Sequence, residues 1–142
     1  MKNKILEQYD KSNAFGRLFD MNYKIIEAGK IEYKLKVNKH FLATPTAMHG
    51  GALAGFMDAI VGVASLSASS QNNKVVSTIE FKINYLKPVF LNDELTGIGT
   101  VVNQGNRIII TKGEIFNQKK ELVAMATATM NAYPVEKSDF FI

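Results

Sequence analysis

The chain has no cysteine and only two histidines. The first absence excludes disulfides, thiolate metal sites and a cysteine nucleophile. The second excludes a histidine-rich metal cluster, so neither a metal site nor a cofactor is expected. Basic runs are also missing. The 17 Lys and Arg against 13 Asp and Glu leave a net charge of +4 and a pI of about 9.2, spread thinly along the chain. That balance suits an anionic ligand and argues against nucleic acid as a partner. The N-terminal stretch MKNKILEQYDKSNAF is charged throughout and lacks an apolar h-region, so no secretory signal is read and the cytoplasm is the expected location. There is no internal repeat and no low-complexity linker. With 142 residues, 46% of them hydrophobic and 21% charged, residues 1–142 are expected to form one globular domain with a real core.

What the chain does have is the stretch Ala47 to Ser70, AMHGGALAGFMDAIVGVASLSASS. It opens on His-Gly-Gly and then runs apolar or small for about six helical turns. Asp58 is the only carboxylate, Lys or Arg between His40 and Lys74. A carboxylate set among Ala, Gly, Val, Ile, Leu and Met is costly unless it has a partner or a use. The stretch is long enough for a bilayer span of roughly 20 residues. It is nevertheless rich in Gly, Ala and Ser, carries Asp58 mid-span, and has no aromatic belt or basic flank, so no membrane is expected. A helix apolar all round is expected to be the buried helix of a soluble fold.

The rest of the chain is patterned as strand. Ile5, Leu6 and Tyr9 predict a short amphipathic helix over Asn3–Ser12. Phe15–Ile26 is predicted as a strand, with Phe19, Met21, Tyr23 and Ile25 on one face. It is followed by a turn at Gly29 and a second strand over Ile31–Val37, where apolar and charged residues alternate. Asn38–Thr46 is a loop. After the helix, strands are predicted over Val75–Leu86, Leu95–Asn103, Arg107–Phe116 and Leu122–Tyr133, with Lys87-Pro88 ending the first. In the first of these, Ile79, Phe81, Ile83 and Tyr85 share a face. The short turns between the last strands make them antiparallel neighbours. The only cover for such a sheet is the long apolar helix. The expected class is therefore α+β: a long central helix wrapped by a curved antiparallel sheet of about six strands, with a short N-terminal helix.

His49-Gly50-Gly51 opening a helix, Asp58 nine positions after the histidine, and a strand ending Asn84-Tyr85-Leu86-Lys87-Pro88 together resemble the hotdog-fold acyl-CoA thioesterases, and within them the PaaI-type branch. The resemblance covers roughly residues 15–133. It implies the hotdog fold and hydrolysis of an acyl-CoA to free acid and CoA. It also implies a homodimer with shared sites, possibly paired into a tetramer. By the same resemblance, the Gly50 N–H polarises the thioester carbonyl, His49 supports the helix start, and Asp58 of the neighbouring subunit is general base or nucleophile. Thr78 then falls where a Ser or Thr helps hold the attacking water, and Gly51, Tyr85, Asn103 and Arg107 near positions that bind substrate or the CoA part. One position departs from the pattern: relatives carry Asn six residues before the histidine, where this chain has Ala43, with only the hydroxyls of Thr44 and Thr46 nearby.

The chemistry also follows from the residues. A thioester hydrolase needs an oxyanion site and an activated water or nucleophile. A helix N-terminus presents unpaired N–H groups and a positive dipole end, and Gly50 and Gly51 let a carbonyl approach it closely. Asp58 is the plausible base. From Gly50 to Asp58 the helix rises about 12 Å, too far for both to meet one thioester carbon. If both act, they come from two antiparallel copies of the helix. Thr78 and Tyr85 are seven apart and point to opposite faces of a regular strand, so both can meet one ligand only at an edge, at a bulge or across a dimer seam.

Plainer readings stand beside these. Asp58 can be a carboxylate satisfied by backbone or hydroxyl groups. His49 can be a cap, Gly50-Gly51 a close-packing pair, Thr78 an ordinary strand residue, and Arg107 a solvated side chain; His40 reads as a surface loop residue. An acyl pocket is expected to draw on Phe56, Met57, Ile60 and Val61. Two other functions are weighed: a hotdog protein that binds acyl-CoA without cleaving it, which Ala43 favours, and a hotdog dehydratase in which His49 and Asp58 imitate a His–Asp pair.

Overall fold

The structure, a computed structural model, describes residues 2–141. Two short helices, α1 (Lys4–Ser12) and α2 (Ala14–Leu18), lead into strands β1 (Asn22–Glu27) and β2 (Lys30–Lys36). The long helix α3 (Gly50–Ser69) follows, and then β3 (Lys74–Tyr85), β4 (Glu94–Gln104), β5 (Ile108–Phe116) and β6 (Leu122–Pro134). The six strands form one antiparallel sheet in the order β1-β2-β4-β5-β6-β3. This is the expected sheet wrapped around a central helix, with one difference in order. β3 and β4 are not neighbours: β4 pairs with β2, and β3 crosses over to pair with β6 and lie at the sheet edge.

The N-terminal segment corrects the sequence reading. Phe15–Ile26 is not one strand. Asn13 ends α1 and caps α2, its Oδ1 accepting from the Gly16 N–H at 3.0 Å. The chain then turns through Asp20, whose φ is 53°, before β1 begins. The apolar alternation that suggests a strand from Phe15 comes from two different elements. Phe15 and Phe19 are in contact one helical turn apart, their ring centroids separated by 4.3 Å, whereas Tyr23 and Ile25 belong to β1.

Helix α3 packs on the sheet with one face. Phe56, Met57, Ile60, Val61 and Ala64 have no exposed surface, and Ile31, Tyr33, Ile109 and Ile115 meet them from the strands. Each such large side chain contributes about 1.5–3 kcal/mol by leaving water. The approach is unusually close over β4. A Cβ on Gly99 would stand 2.7 Å from the Ile60 carbonyl oxygen, so only glycine lets the helix lie at this height. By length and apolarity Gly50–Asn72 could cross a bilayer, but 61% of its apolar window is buried inside the fold. Its C-terminus passes into a 3-10 turn, Ser70–Asn72, and stops at Asn73 in the left-handed conformation, φ 55°.

Candidate functional site

Ala47 and Met48 are extended, bridging to Phe90 and Leu42, so α3 starts three residues later than its apolar run. His49, at φ −64° and ψ 132°, is the cap. Its Nδ1 accepts the Gly51 N–H at 2.8 Å. The N–H groups of Ala52 and Leu53 both donate to the His49 carbonyl. Of the four N–H groups that open a helix, the Gly50 N–H is left without an acceptor among the described residues. Tyr85 fixes this turn from the end of β3, its hydroxyl donating to the Gly50 carbonyl at 2.7 Å. A hollow of about 310 Å³ lies here, lined in part by Gly50, Leu53, Tyr85, Lys87 and Pro88.

Asp58 lies two turns on, on the face of α3 turned away from the sheet's centre. It is half-buried, and the Thr78 hydroxyl donates to its Oδ1 at 2.8 Å. The carboxylate opens onto a cleft of about 560 Å³. Gly55, Ala59, Gly62 and Leu66 form the floor, Val76 and Thr78 one wall, and Tyr9, Asn13, Phe15 and Phe140 the other. The hydrogen bond donated by Thr78 orients the carboxylate and leaves its remaining lone pairs free for a water or an incoming group. The Tyr9 phenol is pushed above its ordinary value chiefly by burial, so it remains a neutral hydroxyl at the cleft wall.

Both β3 contacts depend on one irregularity. The β3–β6 register shifts between Thr78 and Glu80, which makes Ile79 a bulge residue, 56% exposed and off the face it was expected to share with Phe81 and Ile83. The extra residue inverts the alternation. Thr78 and Tyr85, seven apart, therefore both face α3 and serve its two hollows.

Other expected residues are not assembled here. Asn103 and Arg107 are exposed at the β4–β5 turn. That turn sits at the other end of the helix: Lys74 Nζ donates to Asn106 Oδ1 at 2.7 Å, the Val101 N–H to the Gly29 carbonyl, and the Gly29 N–H to Ser67 Oγ. Within one chain neither residue reaches Gly50 or Asp58. Phe56, Met57, Ile60 and Val61, expected in an acyl pocket, point into the sheet and are wholly buried; at helical spacing they share the face opposite the cleft. The cleft wall of Tyr9, Phe15 and Phe140 was missed. The Asn13 cap was the signal that could have exposed α2. Beside Ala43, the Thr44 Oγ1 accepts from the Ala47 N–H at 2.9 Å and the Thr46 N–H at 3.3 Å and orders this loop. His49 is held as a cap and has no hydrogen bond to Asp58.

Residues 46–124 match the thioesterase superfamily. The medium/long-chain acyl-CoA thioesterase YigI of Escherichia coli K12 is 23% identical over 94 residues, 58% of this chain and 60% of that protein. Among solved structures, PaaI of the E. coli phenylacetic acid degradation operon superposes with a TM-score of 0.84 at 21% identity, covering 92% of this chain and 91% of that one. A hypothetical thioesterase of Streptococcus pneumoniae TIGR4 with coenzyme A gives 0.78 at 27% identity, covering 92% and 97%. The match spans more than half the chain, from just before the His49 cap to the start of β6: the chain belongs to the thioesterase superfamily, on the hotdog fold it shares with PaaI.

Proposed function

We propose that the protein hydrolyses acyl-CoA thioesters to free acid and CoA, with each site shared between two copies of the chain. In this reading the Gly50 N–H polarises the thioester carbonyl, and Asp58 of the second copy acts as general base or nucleophile. Thr78 orients that carboxylate and its water. His49 and Gly51 form the cap that holds the Gly50 turn in shape. Tyr85 positions the same turn and borders the CoA path, and Asn103 and Arg107 from the second copy contact the CoA part. The observation that carries the reading is the pairing on one helix of a free N–H at Gly50 with an open, hydroxyl-bound carboxylate at Asp58, about 12 Å apart.

Two further observations support it. β3 lies at the sheet edge, twelve residues long, with its outer side unpaired among the described residues. An edge of that length invites a second strand, and an antiparallel β3–β3 pair would set the two copies of α3 antiparallel. The coenzyme A and acetyl-CoA bound to structural relatives supports CoA esters as ligands, and the name of YigI supports thioester cleavage. We place the enzyme in the PaaI-type branch, as one domain over residues 1–142 working in the cytoplasm, as a dimer or a dimer of dimers.

Thiol release from a panel of phenylacetyl-, benzoyl- and fatty acyl-CoAs tests the reading. Turnover of at least one class is expected, from a protein that elutes as a dimer or larger; a stable monomer contradicts the shared site. The second reading is an acyl-CoA binding protein, favoured by Ala43. It wins if no ester is cleaved while CoA esters raise the melting temperature.

A further inference from the structure

Of the ten glycines in the chain, Gly62 is the one whose missing side chain leaves open space: a Cβ built there meets nothing within 4 Å. It sits one turn beyond Asp58 on α3 and lines the same cleft. A glycine inside a helix is less stable than alanine, and no close packing at this position explains it. Past Gly62 the cleft is bounded by Leu66, Val76 and Phe140. These three belong to the second apolar cluster, built on Ile5, Leu6 and Val75, which closes that end. From Asp58 to Leu66 the helix rises about 12 Å. Asp58 is the only charged residue lining the cleft, and the lining beyond it is Ala59, Gly62, Leu66, Val76 and Phe140, so an apolar, half-open channel runs from the carboxylate. Its volume of about 560 Å³ lies in the range of pockets that enclose whole small ligands, and an acetyl group would leave most of it empty.

We propose that Gly62 is a specificity-determining residue: by carrying no side chain it keeps open a channel for a medium-length apolar acyl chain, which runs from the thioester at Asp58 toward Leu66 and Phe140. This rests on the thioesterase reading of the Asp58 site. The channel ends at the second cluster, so chain length is limited there, and the CoA part leaves on the opposite side of Asp58.

Substitutions at Gly62 test it cleanly. Their side chains grow into the cleft and not into the protein, and alanine favours the helix, so Gly62→Ala is expected to melt at or above the wild-type temperature. The measurement is kcat/KM on acetyl-, hexanoyl- and decanoyl-CoA for wild type, Gly62→Ala and Gly62→Leu. The decanoyl-to-acetyl ratio is expected to fall at least about tenfold in Gly62→Leu and by less in Gly62→Ala, because a pocket discriminates by that order for each methylene it excludes. Equal loss on all three esters, or an unchanged ratio, overturns the proposal. So does a changed oligomeric mass for Gly62→Leu, which would make the cleft a contact between copies. If wild type cleaves none of the esters, the thioesterase reading fails and binding decides the channel. A melting-temperature shift that grows with chain length in wild type but not in Gly62→Leu retains it; equal shifts discard it.

Discussion

The hollow at the first turn of α3 offers an unpaired helix N–H and no carboxylate, whereas the cleft two turns further on offers a carboxylate held by a hydroxyl. The first is shaped by local geometry: a histidine cap, two glycines, and Tyr85 clamped to the Gly50 carbonyl. The second is shaped by distant segments, since α1, α2 and the C-terminal Phe140 wall a helix face made of small residues. Neither hollow alone holds the parts of a thioester hydrolase. One helix carries both parts at a separation that suits two copies better than one.

Removing either part should leave the other intact. Asp58→Asn keeps the shape and a bond to Thr78 but removes the proposed base. Turnover is expected to fall by about 100-fold or more with the melting temperature and CoA-ester binding nearly unchanged; full activity in this variant would refute the role. Gly50→Pro addresses the other hollow. Proline suits the first position of a helix, and His49 already has the backbone conformation that precedes proline, φ −64° and ψ 132°. A Cβ there stands 3.5 Å from the Tyr85 ring, an ordinary contact. The change therefore deletes one N–H and little else, and kcat should drop by roughly 10²-fold with the fold retained by circular dichroism.

Thr78→Ala should cost less, about tenfold in kcat, the worth of one hydrogen bond to a charged group. The smallest effect concerns three tyrosines on the helix–sheet side, of which Tyr9 walls the cleft. Tyr9, Tyr23 and Tyr33 all have phenols raised above their ordinary value of about 10, chiefly by burial. In the unfolded chain they ionise near that value, while in the folded chain they stay neutral to higher pH. The stability they give is therefore full below pH 10 and is lost as pH rises above it. Melting temperature should decline from about pH 10 upward, and in a spectrophotometric titration of the folded chain Tyr9, Tyr23 and Tyr33 should ionise only above that pH; their ionisation at pH 10 with the fold intact would refute their burial.

The sequence exposes these two hollows unequally. The first is legible because its determinants are contiguous: His49, Gly50 and Gly51 mark a helix start, and Tyr85 lies in a motif at a strand end. Asp58 is legible because a lone carboxylate in an apolar helix stands out. Its surroundings are not. Phe15 reads as strand because Phe19, Met21, Tyr23 and Ile25 continue its alternation, although the Asn13 cap and the Asp20 turn separate them. Phe56 and Ile60 suggest an acyl pocket by type, and only the sheet's position shows that they face the core. The Ile79 bulge, which aims both Thr78 and Tyr85 at α3, leaves no mark in a strand pattern that continues regularly through it.

The central claim is that a working site takes Gly50 from one copy and Asp58 from another. Mixing inactive Gly50→Pro and Asp58→Asn chains, by co-expression or by unfolding and refolding together, tests it most directly. Random pairing makes half of the dimers mixed, and each mixed dimer holds one intact site and one doubly defective site, so activity should recover to about one quarter of wild type. A mixture no more active than its two parents would contradict the shared site and return both groups to a single chain.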